Sequence, residues 1–216
     1  MTKVYPNVAT TTATNNQRQP VKFKSSNNAL DAGATNVLTV WKKSLLFNCN
    51  GFTVYDGKGN LAFRVDNYMA TSGSNGEIVL MDAAGKPLLT IRRKRLSLGD
   101  SWLVYDGETV INPRFSVKKH VNILNTKCLA HVSPAAGSKK NVMYDIEGSY
   151  AQRCCAVYDE KKRMVAEIKQ KEAAGGVALG VDVFRLVVGP EIDTSVAMAI
   201  VILLDQMFGS TKRFST

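Results

Sequence analysis

Along most of the chain, hydrophobic residues alternate with polar ones in short runs, the period-two pattern of strands with one face buried. Val37-Leu38-Thr39-Val40-Trp41 is the first such run. A unit then recurs: Thr53-Val54-Tyr55-Asp56 passes through Gly57-Lys58-Gly59-Asn60 into Leu61-Ala62-Phe63-Arg64-Val65. Val79 to Asp82 passes likewise through Ala83-Ala84-Gly85-Lys86 into Pro87 to Ile91, and Ala156 to Asp159 through Glu160 to Arg163 into Met164 to Ile168. Each reads as strand, Asp-led turn, strand: the Asp side chain accepts backbone amides two residues on, and Gly supplies positive φ. Trp102 to Gly107 is a degenerate fourth copy. Phe115 to Val117, Val121 to Leu124, Cys128 to Val132, Met143 to Ile146 and Val181 to Val188 also read as strands, with loops at Pro134 to Lys140 and Ala173 to Gly176. Hairpin spacing of this kind predicts a barrel or sandwich of ten to twelve antiparallel strands.

One run breaks the alternation. Val196 to Leu204 is apolar at every position. Asp193, Thr194 and Ser195 precede it as N-cap candidates, and Gly209 follows, where a helix tolerates a left-handed stop. A helix apolar on all sides is enclosed by protein or by lipid. From Val196 to Phe208, at about 1.5 Å per residue, it spans roughly 20 Å, whereas a membrane span needs about 20 apolar residues. The buried reading is preferred. A closed sheet around one helix also removes exposed strand edges. The expected fold is therefore mainly β: a closed antiparallel β-barrel of about twelve strands around a buried hydrophobic C-terminal helix. The expected boundaries are a disordered polar leader at 1–34, a single barrel domain at 35–210 with its helix at about 194–208, and a short tail at 211–216.

Composition changes the picture in two respects. The 216 residues carry 28 Lys and Arg against 18 Asp and Glu, a formal net charge of +10, which favours anionic partners. The four cysteines, Cys49, Cys128, Cys154 and Cys155, include a vicinal pair and no C-x-x-C, so neither a disulfide framework nor a zinc site is indicated, and a reducing compartment is expected. The Thr/Asn-rich N-terminus lacks the apolar core of a signal peptide.

Leu38-Thr39-Val40-Trp41-Lys42-Lys43-Ser44-Leu45, the Gly51 to Asp56 hairpin with Phe63 to Tyr68, Arg93 to Leu98 before Trp102, and Val183 to Val188 followed by Pro190, Asp193 and the apolar helix together resemble the plant LURP-one-related proteins. The resemblance runs from about Val37 to Phe208. It implies a tubby C-terminal-like barrel threaded by a hydrophobic helix. Among relatives by fold, tubby proteins bind phosphoinositides and others are phospholipid scramblases; a founding member of the plant family is linked to basal defence. Since fold does not determine function, the lipid reading enters as analogy.

No catalytic constellation is evident. His120 and His131 are the only histidines, and His131, in an alternating apolar strand, reads as structural. G-x-S-x-G, H-E-x-x-H and the P-loop are absent. Gly57 to Ala62 matches G-x-G-x-x-A, but a strand follows where a dinucleotide site needs a helix. The turn aspartates do not form a calcium loop. No catalytic residue, metal ligand or cofactor is therefore expected, and the chain reads as non-enzymatic.

The chemistry that remains is basic. In Arg92-Arg93-Lys94-Arg95, Arg93 is in phase with Leu89 and Ile91, whereas Leu96 and Leu98 are in phase with Lys94, a flip that a bulge or turn would produce. With Lys118 and Lys119 these four form the candidate anion site, suited to phosphoinositide or other anionic membrane headgroups. The alternatives are a charged, aggregation-resistant surface, a DNA-associated tubby-like regulator, and a scramblase-like lipid handler. Aromatic interleaving for single-stranded nucleic acid is not evident. The run also resembles a nuclear localisation patch, against which its place inside a strand argues. Location is expected to be cytoplasmic, membrane-peripheral or nuclear, with no transmembrane span.

Overall fold

The computed structural model describes residues 35–45, 50–67, 76–95, 97, 99–109, 111–121, 127–135, 142–172 and 180–209. The expected leader at 1–34, the tail at 211–216, Leu96, Leu98, Cys49, most of the expected strand Val121 to Leu124, and the loop at Ala173 to Gly176 lie outside them. Val121 itself is described and is not in a strand.

Twelve strands follow one another: β1 (Asn36–Trp41), β2 (Asn50–Tyr55), β3 (Leu61–Asn67), β4 (Ile78–Asp82), β5 (Pro87–Arg93), β6 (Ser101–Asp106), β7 (Phe115–Lys119), β8 (Cys128–Pro134), β9 (Tyr144–Ser149), β10 (Cys154–Asp159), β11 (Met164–Gln170) and β12 (Val183–Val188). Each pairs antiparallel with its neighbour in sequence, and β1 pairs with β12, closing the barrel. The helix α1 (Thr194–Phe208) comes last.

The three Asp-led hairpins share one construction. Asp56, Asp82 and Asp159 each accept, through Oδ1, the backbone N–H four residues on, from Asn60, Lys86 and Arg163, at 2.8 Å in every case. The amide two residues on joins in at Asp56, which also accepts from Lys58 at 2.8 Å. The third turn residue takes positive φ in each: Gly59 at 86°, Gly85 at 87° and Lys162 at 59°. Each hairpin has a register shift one or two residues before its Asp, at Val54/Tyr55, Leu80/Met81 and Val157/Tyr158. The degenerate copy ends β6, but the chain continues to Phe115 before the next strand begins.

Strand alternation decides what faces inward. Leu38 and Val40 of β1 pair with Leu186 and Phe184 of β12, and all four are buried, with Val40 and Phe184 at 0% exposure. The helix fills the space they enclose. Met198 through Leu204 are each 1% exposed or less at seven consecutive positions, so every side of α1 is covered, and helix and strand side chains form one core. No described helix is long and apolar enough to cross a membrane.

Antiparallel order gives the barrel two distinct ends. The Asp-led turns and the helix N-terminus share one, here the upper end. The odd-numbered strands finish, and α1 terminates, at the lower end. At the helix start, Asp193 Oδ1 accepts the N–H groups of Ser195 at 2.9 Å and Val196 at 3.1 Å. At its finish, Gly209 is extended (φ −63°, ψ 131°) rather than left-handed. Glycine is needed there for closeness, since a Cβ would lie 2.3 Å from the Asp205 carbonyl oxygen.

Burial alone would raise the Asp193 carboxyl, but hydrogen bonds from Ser195 and Val196 outweigh it and hold the group below the usual carboxylate range. A depressed folded pKa contributes stability that is present above the unfolded value, near 4, and lost as pH falls through the folded one. Asp193→Ala is therefore expected to cost about 1 kcal/mol at pH 7, with the difference from wild type shrinking in acid. Urea unfolding at neutral and acid pH checks both, and equal midpoints at pH 7 would remove the capping role.

Candidate functional site

The basic run lies where β5 leaves the barrel. The strand ends at Arg93, Lys94 follows it and Arg95 sits in a turn; Leu96 and Leu98, which define the expected change of phase, lie outside the described residues. Arg92 points outward and donates through Nε to Glu77 Oε2 at 2.8 Å, with a second contact from Nη2. Arg93, in the inward phase, stands at the lower mouth and pairs with Asp100. Such ion pairs contribute little stability, but each offsets the charge of its arginine. Lys94 and Arg95 are exposed. The Lys94 N–H donates to the Ser101 carbonyl at 2.8 Å, and Ser101 stands opposite Lys118. Lys94 and Lys118 therefore belong to one outward row across β5, β6 and β7, separated by two strand spacings or about 10 Å.

Lys119 has a different role. It faces the lower mouth, where its Nζ donates to the Met207 carbonyl at 3.0 Å and lies 4.5 Å from the Phe208 ring centroid. The last turn of α1 has no basic residue of its own, so the wall supplies the positive charge that the helix C-terminus favours. Lys42 does the same, pairing with Asp205 Oδ1 at 2.9 Å. That oxygen also accepts the Tyr150 hydroxyl at 3.2 Å, and burial, reinforced by the Asp205 charge, pushes the Tyr150 hydroxyl above its ordinary value. Arg153, 5% exposed, closes the same end. Its guanidinium carbon lies 4.1 and 4.4 Å from the ring centroids of Tyr150 and Phe184, and its Nε donates to the Val181 carbonyl at 2.7 Å.

Of the six cations expected from sequence, Lys94, Arg95 and Lys118 are exposed on one sector of the lower end, Arg92 and Arg93 flank them with acid partners, and Lys119 is turned inward. Two features escape a reading of the sequence. The first is a shallow depression on the outer face of β1, β2 and β12, lined by Val37, Trp41 and Tyr55 with Lys171 and Arg185. Its sequence signal is the outward phase of Val37, Thr39 and Trp41 in β1 and of Arg185 in β12. The second is the meeting of both histidines with Cys128, which hairpin register creates between residues distant from any known motif.

Comparison with known proteins gives consistent results. A family model described as LURP-one-related matches residues 36–205. The Arabidopsis thaliana protein LURP-one-related 8 is 54% identical over 217 residues, covering 98% of this chain and 100% of that protein. LURP-one-related 17 of the same plant is 47% identical, covering 82% of this chain and 85% of its own. An X-ray structure of an Arabidopsis thaliana protein matches with a TM-score of 0.59 at 24% identity over 80% of this chain and 91% of that one, a likeness that concerns the fold.

Proposed function

The chain belongs to the LURP-one-related family, and we propose that it is a non-enzymatic binding module that docks on anionic phospholipid headgroups, phosphoinositides above all. The observation that carries this reading is the exposed sector at the lower end, where Lys94 and Arg95 follow β5 and Lys118 stands two strands away on β7. Ammonium and guanidinium groups so arranged suit the oxygens of a multiply phosphorylated headgroup, and a negatively charged leaflet attracts each such cation by about 1 kcal/mol. The helix takes no part in contact with lipid under this reading, because its apolar side chains are already covered. We place such recruitment at the cytoplasmic face of the membrane, in the defence setting that the family resemblance implies.

Co-sedimentation with vesicles of phosphatidylcholine, with and without phosphatidylinositol bisphosphate, tests the proposal over a salt series. Binding should require the phosphoinositide and weaken with salt. Lys94→Glu with Lys118→Glu should reduce it at least tenfold, given about fivefold per charge from the energy above. Equal sedimentation with both vesicle types, or with neither, would end the lipid reading. Salt-sensitive binding to random duplex DNA without vesicle binding would favour a nucleic-acid role instead.

A further inference from the structure

His120 immediately follows β7, Cys128 opens β8 and His131 lies three residues further along it. Hairpin register brings them together: Lys118 stands opposite His131, and the His120 N–H donates to the Leu129 carbonyl at 2.8 Å. Cys128 would share the inward phase of Ala130 in a regular strand. A register shift between Cys128 and Ala130 gives Cys128 Glu147 as its partner and Ala130 Ile146, and so turns Cys128 to the outer face with His131. His120 Nδ1 is then 3.1 Å from His131 Nε2, and Cys128 Sγ is 3.6 Å from the same nitrogen. The three donor atoms all lie within 4.8 Å of one another.

The second nitrogen of His131 is held as well. Nδ1 lies 2.7 Å from Asp145 Oδ1, and Lys162 binds the other oxygen of that carboxylate. The Asp145 carboxylate, itself held by Lys162, is placed to keep the proton on Nδ1 and present Nε2 as the ligating nitrogen, the arrangement found behind metal-bound histidines.

We infer that His120, Cys128 and His131 bind a thiophilic divalent transition metal, zinc in the first place, with Asp145 orienting His131. Tetrahedral zinc with Zn–N of about 2.0–2.1 Å and Zn–S of about 2.3 Å sets its ligand atoms about 3.3 Å apart for two nitrogens and about 3.6 Å for nitrogen and sulfur. The observed 3.1 Å between the two nitrogens is close to that spacing, and the sulfur, 3.6 Å from His131 Nε2 and 3.9 Å from Nδ1, lies beside the ring, so Cys128 turns about its Cα–Cβ bond to meet a metal on the Nε2 lone pair. Hydrogen bonding alone accounts for the cluster less well. The contact with His120 occupies the single Nε2 lone pair, and the thiol's contacts with the Ala130 carbonyl and His131 Nδ1 are both 3.9 Å long. One thiolate and two imidazoles select against magnesium and calcium. On binding, the Cys128 S–H bond breaks, its proton goes to solvent and a sulfur–metal bond forms. Three protein ligands leave a fourth position for water or an incoming donor.

The test uses the full chain, freed of metal with a chelator and kept reduced, titrated with Co²⁺ and then Zn²⁺. One equivalent of Co²⁺ should produce a thiolate-to-cobalt charge-transfer band with tetrahedral d–d absorption, and Zn²⁺ should bleach both. Cys128→Ser should abolish the band, Cys154→Ser should keep it, and Asp145→Asn should keep it with affinity reduced about 10–100-fold. In the unmutated chain, Zn²⁺ should protect Cys128 from alkylation while the exposed Cys154 still reacts, as measured by mass spectrometry. No saturable band, a band that survives Cys128→Ser, or alkylation of Cys128 unaffected by Zn²⁺ would each overturn the assignment.

Discussion

Ile200→Asp is expected to abolish cooperative folding. Ile200 is 1% exposed in the middle of α1, with Ala199 and Val201 beside it at 0%. A carboxylate there would be surrounded by the inward side chains of the barrel, where an isolated charge is very costly. Destabilisation above about 4–5 kcal/mol is the range for burying an unpaired charge, and it approaches the whole stability of a small domain, about 5–15 kcal/mol. The same helix shows what makes an acid tolerable. Asp205 lies five residues on, and its carboxylate has both Lys42 and Tyr150 within reach. Two graded controls separate charge from lost packing: Ile200→Val should cost about 0.5–1.5 kcal/mol and Ile200→Ala about 2–5. Circular-dichroism melts rank the series. An Ile200→Asp melt at the wild-type temperature would mean that α1 is not the core of the barrel.

The helix is legible in sequence because nine successive apolar residues have only two kinds of surroundings, and their number is too small for a bilayer. The hairpins are legible because Asp at the turn and positive φ three residues on are requirements of the turn itself, repeated at Asp56, Asp82 and Asp159. What lies beyond reading is whatever depends on register between strands. Arg92 and Arg93 look alike in sequence with Lys94, yet Glu77 and Asp100 come beside them only when β5 packs between β4 and β6. Lys118 and Lys119 are adjacent, but alternation sends one to the outer face and the other to the helix terminus. His131 does stand in an alternating strand, as its sequence context indicates. The Asp145 and Cys128 contacts that give it a second character come from the neighbouring strand and from an irregularity in its own. Gly209 reads in sequence as a left-handed stop, whereas its lack of a side chain is what matters.

A second glycine, unmarked in the sequence, carries the other large effect: Gly148→Ala is expected to destabilise the barrel severely. Gly148 sits in β9 opposite Cys155 of β10, and its N–H donates to the Lys127 carbonyl at 2.9 Å, at the irregular start of β8. Its φ of 118° belongs to a region that is essentially closed to residues with a Cβ, at a strain of about 1–3 kcal/mol. Space is also lacking. A Cβ would stand 2.2 Å from the Cys154 carbonyl oxygen and 3.0 Å from the Cys155 Cα, and both belong to backbone fixed in the ladder rather than to a side chain that can turn away. Relief requires β9 and β10 to separate, which breaks hydrogen bonds in the wall around α1. Strain and lost pairing together place the cost at about 3 kcal/mol or more. Gly59, with φ of 86° and no atom within 4 Å of the point where a Cβ would stand, supplies the comparison: Gly59→Ala meets the strain without the clash and should cost about 1 kcal/mol. Chemical denaturation of the two variants side by side measures the difference, and a Gly148→Ala protein no less stable than Gly59→Ala would show that the β9–β10 pairing is looser than its geometry indicates.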